Sequence, residues 1–164
     1  MSRVSPGSDG SPMSLRLASS FTATVAAVVL LSAAACNSGS TAPTSQLAAA
    51  RARWERVGPA SYTYTIMRSC ECTPEMSGPV TVSVRSGVVE SRQYTPSGAS
   101  VATQYADAFP AVEGLFALID QAIRNGTKPL TVEYDPTLGY PTRIALGDPA
   151  VDAPLYVVSD LRAR

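Results

Sequence analysis

The sequence predicts an α+β domain: a single antiparallel β-sheet of about five to six strands, with an N-terminal helix and one amphipathic helix packed on it. Three observations predict this class. Val80, Val82 and Val84 alternate with Thr81, Ser83 and Arg85, the period of a strand with one buried face. Val112, Leu115, Phe116, Ile119 and Ile123 recur at i, i+3, i+4, i+7 and i+11, an unbroken apolar stripe at helical spacing. The segments between these runs are short, which favours antiparallel neighbours over crossovers.

Taken in order, residues 36–44 form a flexible tether with no apolar side chain worth packing, and the single domain runs over residues 45–164. Ser45 is placed to cap a helix over Gln46 to Val57, with Leu47, Ala50, Trp54 and Val57 near one face. Arg51, Arg53 and Arg56 belong to its solvated side, and Gly58-Pro59 ends it. From Tyr62 to Cys70 the pattern has period two: Tyr62, Tyr64, Ile66 and Cys70 share one face, interrupted by Arg68. Glu71 to Pro79 reads as a loop. The valine strand follows, and Ser86-Gly87 turns tightly into a return strand over Val88 to Tyr94. Glu90 and Arg92 spoil the alternation of that strand, which suits an edge.

Thr95 to Ala108 reads as loop, and Pro110 opens the amphipathic helix. Glu113 suits its positive N-terminal end, Arg124 its C-terminal end, and Asn125-Gly126 its C-cap. Leu130 to Tyr134 and Thr142 to Leu146 then flank Asp135-Pro136-Thr137-Leu138-Gly139, whose Asp, Pro and Gly have the chemistry of a hairpin turn. Leu155 to Ser159 is the last expected strand. The stripe Leu115, Phe116, Ile119 and Ile123 is expected to pack on the face carrying Val82, Val84, Val132 and Ile144.

Cys36 is the most informative single residue. Before it, Leu30-Leu31-Ser32-Ala33-Ala34-Ala35 is an apolar stretch ending in small residues; after it, Asn37-Ser38-Gly39-Ser40 has nothing to bury. Residues 1–35 therefore read as a signal peptide, with Arg16 as its charge and Val25 to Leu31 as its most apolar part. Residues 1–12 do not resemble a positively charged start, so Met13 offers an alternative initiation point. Serines and threonines dilute the run below the roughly 20 apolar residues of a spanning helix. The Cys36 context resembles the lipobox of bacterial lipoproteins, departing from it at Ala33. That resemblance implies lipidation at Cys36 and a membrane partner through the lipid anchor. Asn37, rather than Asp, after the cysteine points in a diderm bacterium to the outer membrane, facing the periplasm.

Several further pieces occur in a particular order: Trp54, Ser61-Tyr62-Thr63-Tyr64, Cys70-Glu71-Cys72, Gly78-Pro79-Val80, and Tyr134-Asp135-Pro136 with Gly139-Tyr140-Pro141. Together they resemble a family of small bacterial envelope lipoproteins defined only as a domain of unknown function. The resemblance implies a lipidated or secreted single domain and carries no activity.

Composition narrows the chemistry. Thirteen Lys and Arg balance 13 Asp and Glu, leaving no electrostatic reason to expect nucleic acid. The absence of His removes the commonest general base and the commonest neutral metal ligand. Once Cys36 is acylated, Cys70 and Cys72 are the remaining thiols, and an oxidising envelope favours joining them. Residues two apart on a regular strand sit near the far limit of disulfide separation, so a kink at Glu71 is required. A structural bridge is one reading; a thiol-redox or Cu(I)-handling pair, with Met67 and Met76 nearby in sequence, is the other. Glu133 and Asp135 are the acids nearest a surface loop, but the turn already accounts for Asp135. A serine–lysine dyad would have to use Lys128, and no residue pattern nominates its serine. No catalytic residue, metal site or cofactor is expected. The residues favour a non-catalytic binding or structural domain, with an unknown envelope protein or ligand as partner and Tyr140 and Pro141 as its contact surface.

Overall fold

The computed structural model describes residues 42–148 and 153–164. The signal peptide, Cys36 and most of the expected tether lie outside the described residues. Helix α1 (Pro43–Val57) comes first, followed by β1 (Tyr62–Ser69), a short helix α2 (Pro74–Ser77), and the strands β2 (Val80–Arg85) and β3 (Val88–Tyr94). A 3₁₀ turn (Thr103–Ala108) leads to helix α3 (Val112–Arg124), and β4 (Leu130–Tyr134), β5 (Pro141–Leu146) and β6 (Leu155–Ala163) complete the domain. The six strands form one sheet in the order β3-β2-β1-β6-β5-β4, with every pairing antiparallel. The expected α+β class is the observed one. No helix among the described residues is long and apolar enough to cross a membrane.

The start of α1 corrects the expected cap and tether boundary. Pro43 occupies the first helical turn, where its missing N–H costs nothing and its fixed φ suits a helix. The helix therefore begins before Ser45, whose hydroxyl donates back to the Ala42 carbonyl at 2.8 Å instead of capping. Leu47, Ala50 and Trp54 are buried as expected, whereas Val57 at the last position is exposed.

In β1 and β2, period two holds: Tyr62, Tyr64, Ile66, Val80, Val82 and Val84 are all buried on one face. Ser86 and Gly87 both have positive φ, at 48° and 78°, the conformation of a type I′ hairpin turn. The irregular pattern of β3 has a physical cause. The register shifts between Ser83 and Val84, so that Ser83 faces Ser91 while Val84 faces Val89. Glu90 is the extra residue of a β-bulge, and the side-chain alternation changes phase there. β3 is an edge strand, partly covered by its own continuation through Tyr94 N–H to the Ala99 carbonyl and Val101 N–H to the Arg92 carbonyl, both 2.9 Å.

The last strand runs four residues past its expected end. Asp160 adopts φ 55° at a bulge between the Thr63–Arg162 and Thr65–Ser159 pairs, which hides the continuation from a period-two reading. Beyond it, Ala163 still pairs with Tyr62, making β6 a central strand beside β1.

Helix α3 carries the strongest amphipathic pattern, and Val112, Leu115, Phe116 and Ile119 are buried in the core with Val82, Val84 and Ile144; Ile123 and Val132 are half-buried at its margin. Its end is a Schellman motif. Gly126 N–H donates to the Ile123 carbonyl at 3.1 Å and Thr127 N–H to the Ala122 carbonyl at 3.0 Å, with Gly126 at φ 68°. The helices α1 and α3 pack together. Leu47, Trp54 and Phe116 share one core cluster with sheet residues Tyr62, Ile144 and Val158.

Phe116 is 2% exposed, and truncating it leaves a cavity beneath α3. A two-state denaturant titration of Phe116→Ala is expected to show a loss of about 3–5 kcal/mol.

Candidate functional site

Cys70 and Cys72 follow directly on β1. The backbone turns sharply there, with Cys72 N–H donating to the Cys70 carbonyl at 2.8 Å across Glu71. This i→i+2 turn is the required kink. It sets the two Cα atoms 5.2 Å apart, and the sulfur atoms are bonded. Met67 is 45% exposed on β1, and Met76 lies in α2. Among the described residues, no group of three or more His, Cys, Asp or Glu side chains is placed to hold a metal ion. Thiol titration of the denatured protein is expected to detect Cys70 and Cys72 only after reduction; two reactive thiols before reduction would contradict the bonded pair.

The Glu133 and Asp135 carboxylates are both engaged in structure. Asp135 Oδ1 accepts the backbone N–H groups of Thr137 and Leu138 at 2.9 and 2.6 Å, an Asx turn that shapes the β4–β5 hairpin. Glu133 faces Arg143 across the same hairpin at 3.8 Å.

Tyr140 and Pro141 are a correction. Expected at an exposed loop, both are buried, Tyr140 at 9% exposure. The hairpin turn folds back onto α1. Gly139 has φ 87°, and a Cβ there would stand 2.5 Å from the Ala50 carbonyl oxygen, so only glycine fits this close approach. Arg53 Nη1 donates to the Pro136 carbonyl at 2.8 Å and fixes the contact. The Tyr140 ring then packs edge-on against Trp54, centroids 6.2 Å apart. Side chains so covered offer little area to a partner.

A cluster of side-chain hydrogen bonds lies where α1, β1 and α3 meet. Glu113 sits in the first turn of α3, as expected for an acid near a helix N-terminus. Its partners were not legible. Trp54 Nε1–H donates to Oε1 at 2.9 Å and the Tyr62 hydroxyl donates to Oε2 at 3.2 Å. Tyr62 also accepts the Val112 backbone N–H at 3.1 Å. The Tyr64 hydroxyl donates to the Pro110 carbonyl, just before the helix. The available signal was general: a buried Trp and Tyr each need a polar partner for their N–H or O–H.

Beside this cluster an open groove of about 510 Å³ runs between the end of α1, the start of α3 and the Ser86–Gly87 turn. Arg51, Glu55 and Glu113 give its walls both signs of charge, and Trp54 and Phe116 supply apolar surface. The Arg51 guanidinium carbon lies 5.7 Å from the Phe116 ring centroid, a cation–π distance. The groove can hold a mixed polar and apolar group, but both Glu113 oxygens already accept hydrogen bonds.

The second candidate surface is the sheet face opposite the buried valines. Pairing sets Thr63 beside Ser83 and Thr65 beside Thr81, a hydroxyl-rich strip. Thr81 Oγ1 and Thr95 Oγ1 are in hydrogen-bond contact at 3.1 Å.

The tyrosines make the core sensitive to alkali. Burial pushes the Tyr62 hydroxyl well above its ordinary value of 10.0; the Val112 N–H bond opposes this and the Glu113 charge adds to it. Burial does the same to Tyr64, and raises Tyr134 to about 12. The unfolded chain releases these protons near pH 10.0 while the native state keeps them, so stability that is full below that pH falls as it rises further. Tyr62→Phe should flatten this alkaline loss in a pH series of denaturant titrations. At neutral pH the same variant should be less stable by about 1–3 kcal/mol, because the Val112 N–H loses its acceptor.

No curated protein and no solved structure matches the chain. A family model does. The Family of unknown function (DUF6174) matches residues 46–163, from the first turn of α1 to the end of β6, and the chain belongs to that family.

Proposed function

We propose that the protein is a lipid-anchored lipoprotein of the bacterial cell envelope, acylated at Cys36, whose domain binds or supports an envelope component without catalysis. The observation that carries this reading is the Cys36 context: an apolar run ending in Ala33-Ala34-Ala35, then a polar segment. In a diderm cell, Asn37 favours the outer membrane, with the domain in the periplasm. A single acyl chain anchors a protein only marginally, and two or more give stable attachment.

Two features of the domain support a binding or structural role over catalysis. Of the two carboxylates that line the groove beside Trp54, Glu113 is held by Trp54 and Tyr62. Asp135 is held in its turn by two backbone N–H groups. The hydroxyl-rich sheet face and the groove beside Trp54 are the surfaces offered to a partner. The second reading, a thiol-redox or copper-handling protein using Cys70 and Cys72, takes the bonded pair as the oxidised half of a dithiol couple, and Cu(I) would bind only after its reduction.

Mass spectrometry of the mature protein tests the anchor. Its N-terminal peptide is expected to begin at Cys36 and to carry at least two acyl chains. An unmodified Cys36 peptide, or a mature peptide spanning Ala35 and Cys36, would refute the reading.

A further inference from the structure

We propose that the end of the domain where α1 begins and α3 stops rests on the bilayer surface, with an apolar groove there seated among the lipid headgroups. This deepens the reading above and depends on acylation of Cys36. The groove measures about 440 Å³ and is lined by Pro43, Ile123, Lys128, Pro129 and Leu130, with Thr44, Gly126 and Thr127 between them. Its origin is local. Ile123 is the last residue of the α3 stripe and overhangs the end of the core, half-buried. The Schellman turn at Gly126 then swings the chain into exposed Lys128 and Pro129, and Leu130 begins β4, an edge strand.

Charge and chain path both point to the bilayer. Lys128 is the sole lysine of the sequence and, among the described residues, the one charged residue that lines this groove. A lysine can lay its stem along apolar surface and carry its ammonium to lipid phosphates. The groove beside Trp54 has no such bias, because Arg51 is set there with Glu55 and Glu113. The chain enters the domain through the lining itself, at Pro43. Cys36 precedes Ala42 by six residues, a fully extended reach of at most about 22 Å. The far groove lies at the other end of α1, a helix of 15 residues and therefore about 22 Å long. An acylated Cys36 thus presents the Pro43 end to the leaflet without the chain turning back over the domain.

Hydrogen–deuterium exchange tests this orientation. The full chain purified from membranes is placed in vesicles of phosphatidylethanolamine and phosphatidylglycerol and compared with the Cys36→Ser chain free in solution. Amides of residues 123–130 are expected to exchange about tenfold more slowly on vesicles, while those of Ser86 and Gly87 exchange alike in both. Lys128→Glu, at an exposed position, should remove much of that protection. If the N-terminal peptide is acylated but residues 123–130 exchange equally fast in both states, the orientation is wrong and the anchor stands. An unmodified Cys36 overturns both. Protection that persists without vesicles and rises with protein concentration would assign the groove to a second copy, and overturns the proposal.

Discussion

Tyr62 joins three elements of the domain through one side chain. Its hydroxyl donates to Glu113 and accepts from Val112 N–H, so the first strand holds the first turn of α3 in place. Its ring meets Trp54 edge-on, centroids 5.3 Å apart, and Trp54 in turn donates to the same carboxylate. Helix α1 is thereby set against both the sheet and α3. A helix N-terminus leaves N–H groups without intrahelical partners, and here one of them finds a tyrosine from the central part of the sheet. The core around this cluster is otherwise apolar, so the arrangement fixes the helix positions where close-packed aliphatic groups alone would be less selective.

Among the described residues, helices cover one face of the sheet, and the chain shapes its strands with bulges. One lies at Glu90 in β3 and one at Asp160 in β6, with a further register shift between Glu133 and Tyr134 in the β4–β5 hairpin. Bulges increase local twist and end regular pairing at edges. At β3 the bulged residue has a second role. Glu90 pairs with Arg85 at 3.0 Å and with Arg164 at 3.2 Å, and those guanidinium groups, Arg85 first, hold its carboxyl below the usual carboxylate range. The opposite face is polar around Thr63, Thr65, Thr81 and Ser83, as expected for an antiparallel sheet with one solvated side.

The two grooves differ in a way that follows from the path of α1. At its far end the helix brings Arg51 and Glu55 alongside Glu113, one cation with two carboxylates. At its beginning there are no acidic residues in the first turn, and Lys128 is the charged residue among those described that line the groove there. The domain therefore has ends of different chemistry joined by a single rigid helix, with the mixed-charge groove and the Ser86–Gly87 turn at the end away from chain entry.

Sequence alone determined the elements whose signals are local. The alternating valines of β2, the α3 stripe, the Asn125-Gly126 stop and the Asp135–Gly139 turn could be read because each depends on residues within one turn or one strand of each other. The class followed, since short connections leave few topologies. Tertiary structure decided what depends on distant partners. The phase change at Glu90 and the extension of β6 past Asp160 arise from pairing with β2 and β1; the sequence shows the first only as a broken alternation at Glu90 and Arg92, without its cause. Tyr140 is buried because the turn before it docks on α1 through Gly139 and Arg53. The partners of Glu113 come from residues 59 and 51 positions away along the chain. Sequence placed that acid on a helix end by electrostatics, and only the packing of three elements could show which groups its oxygens accept.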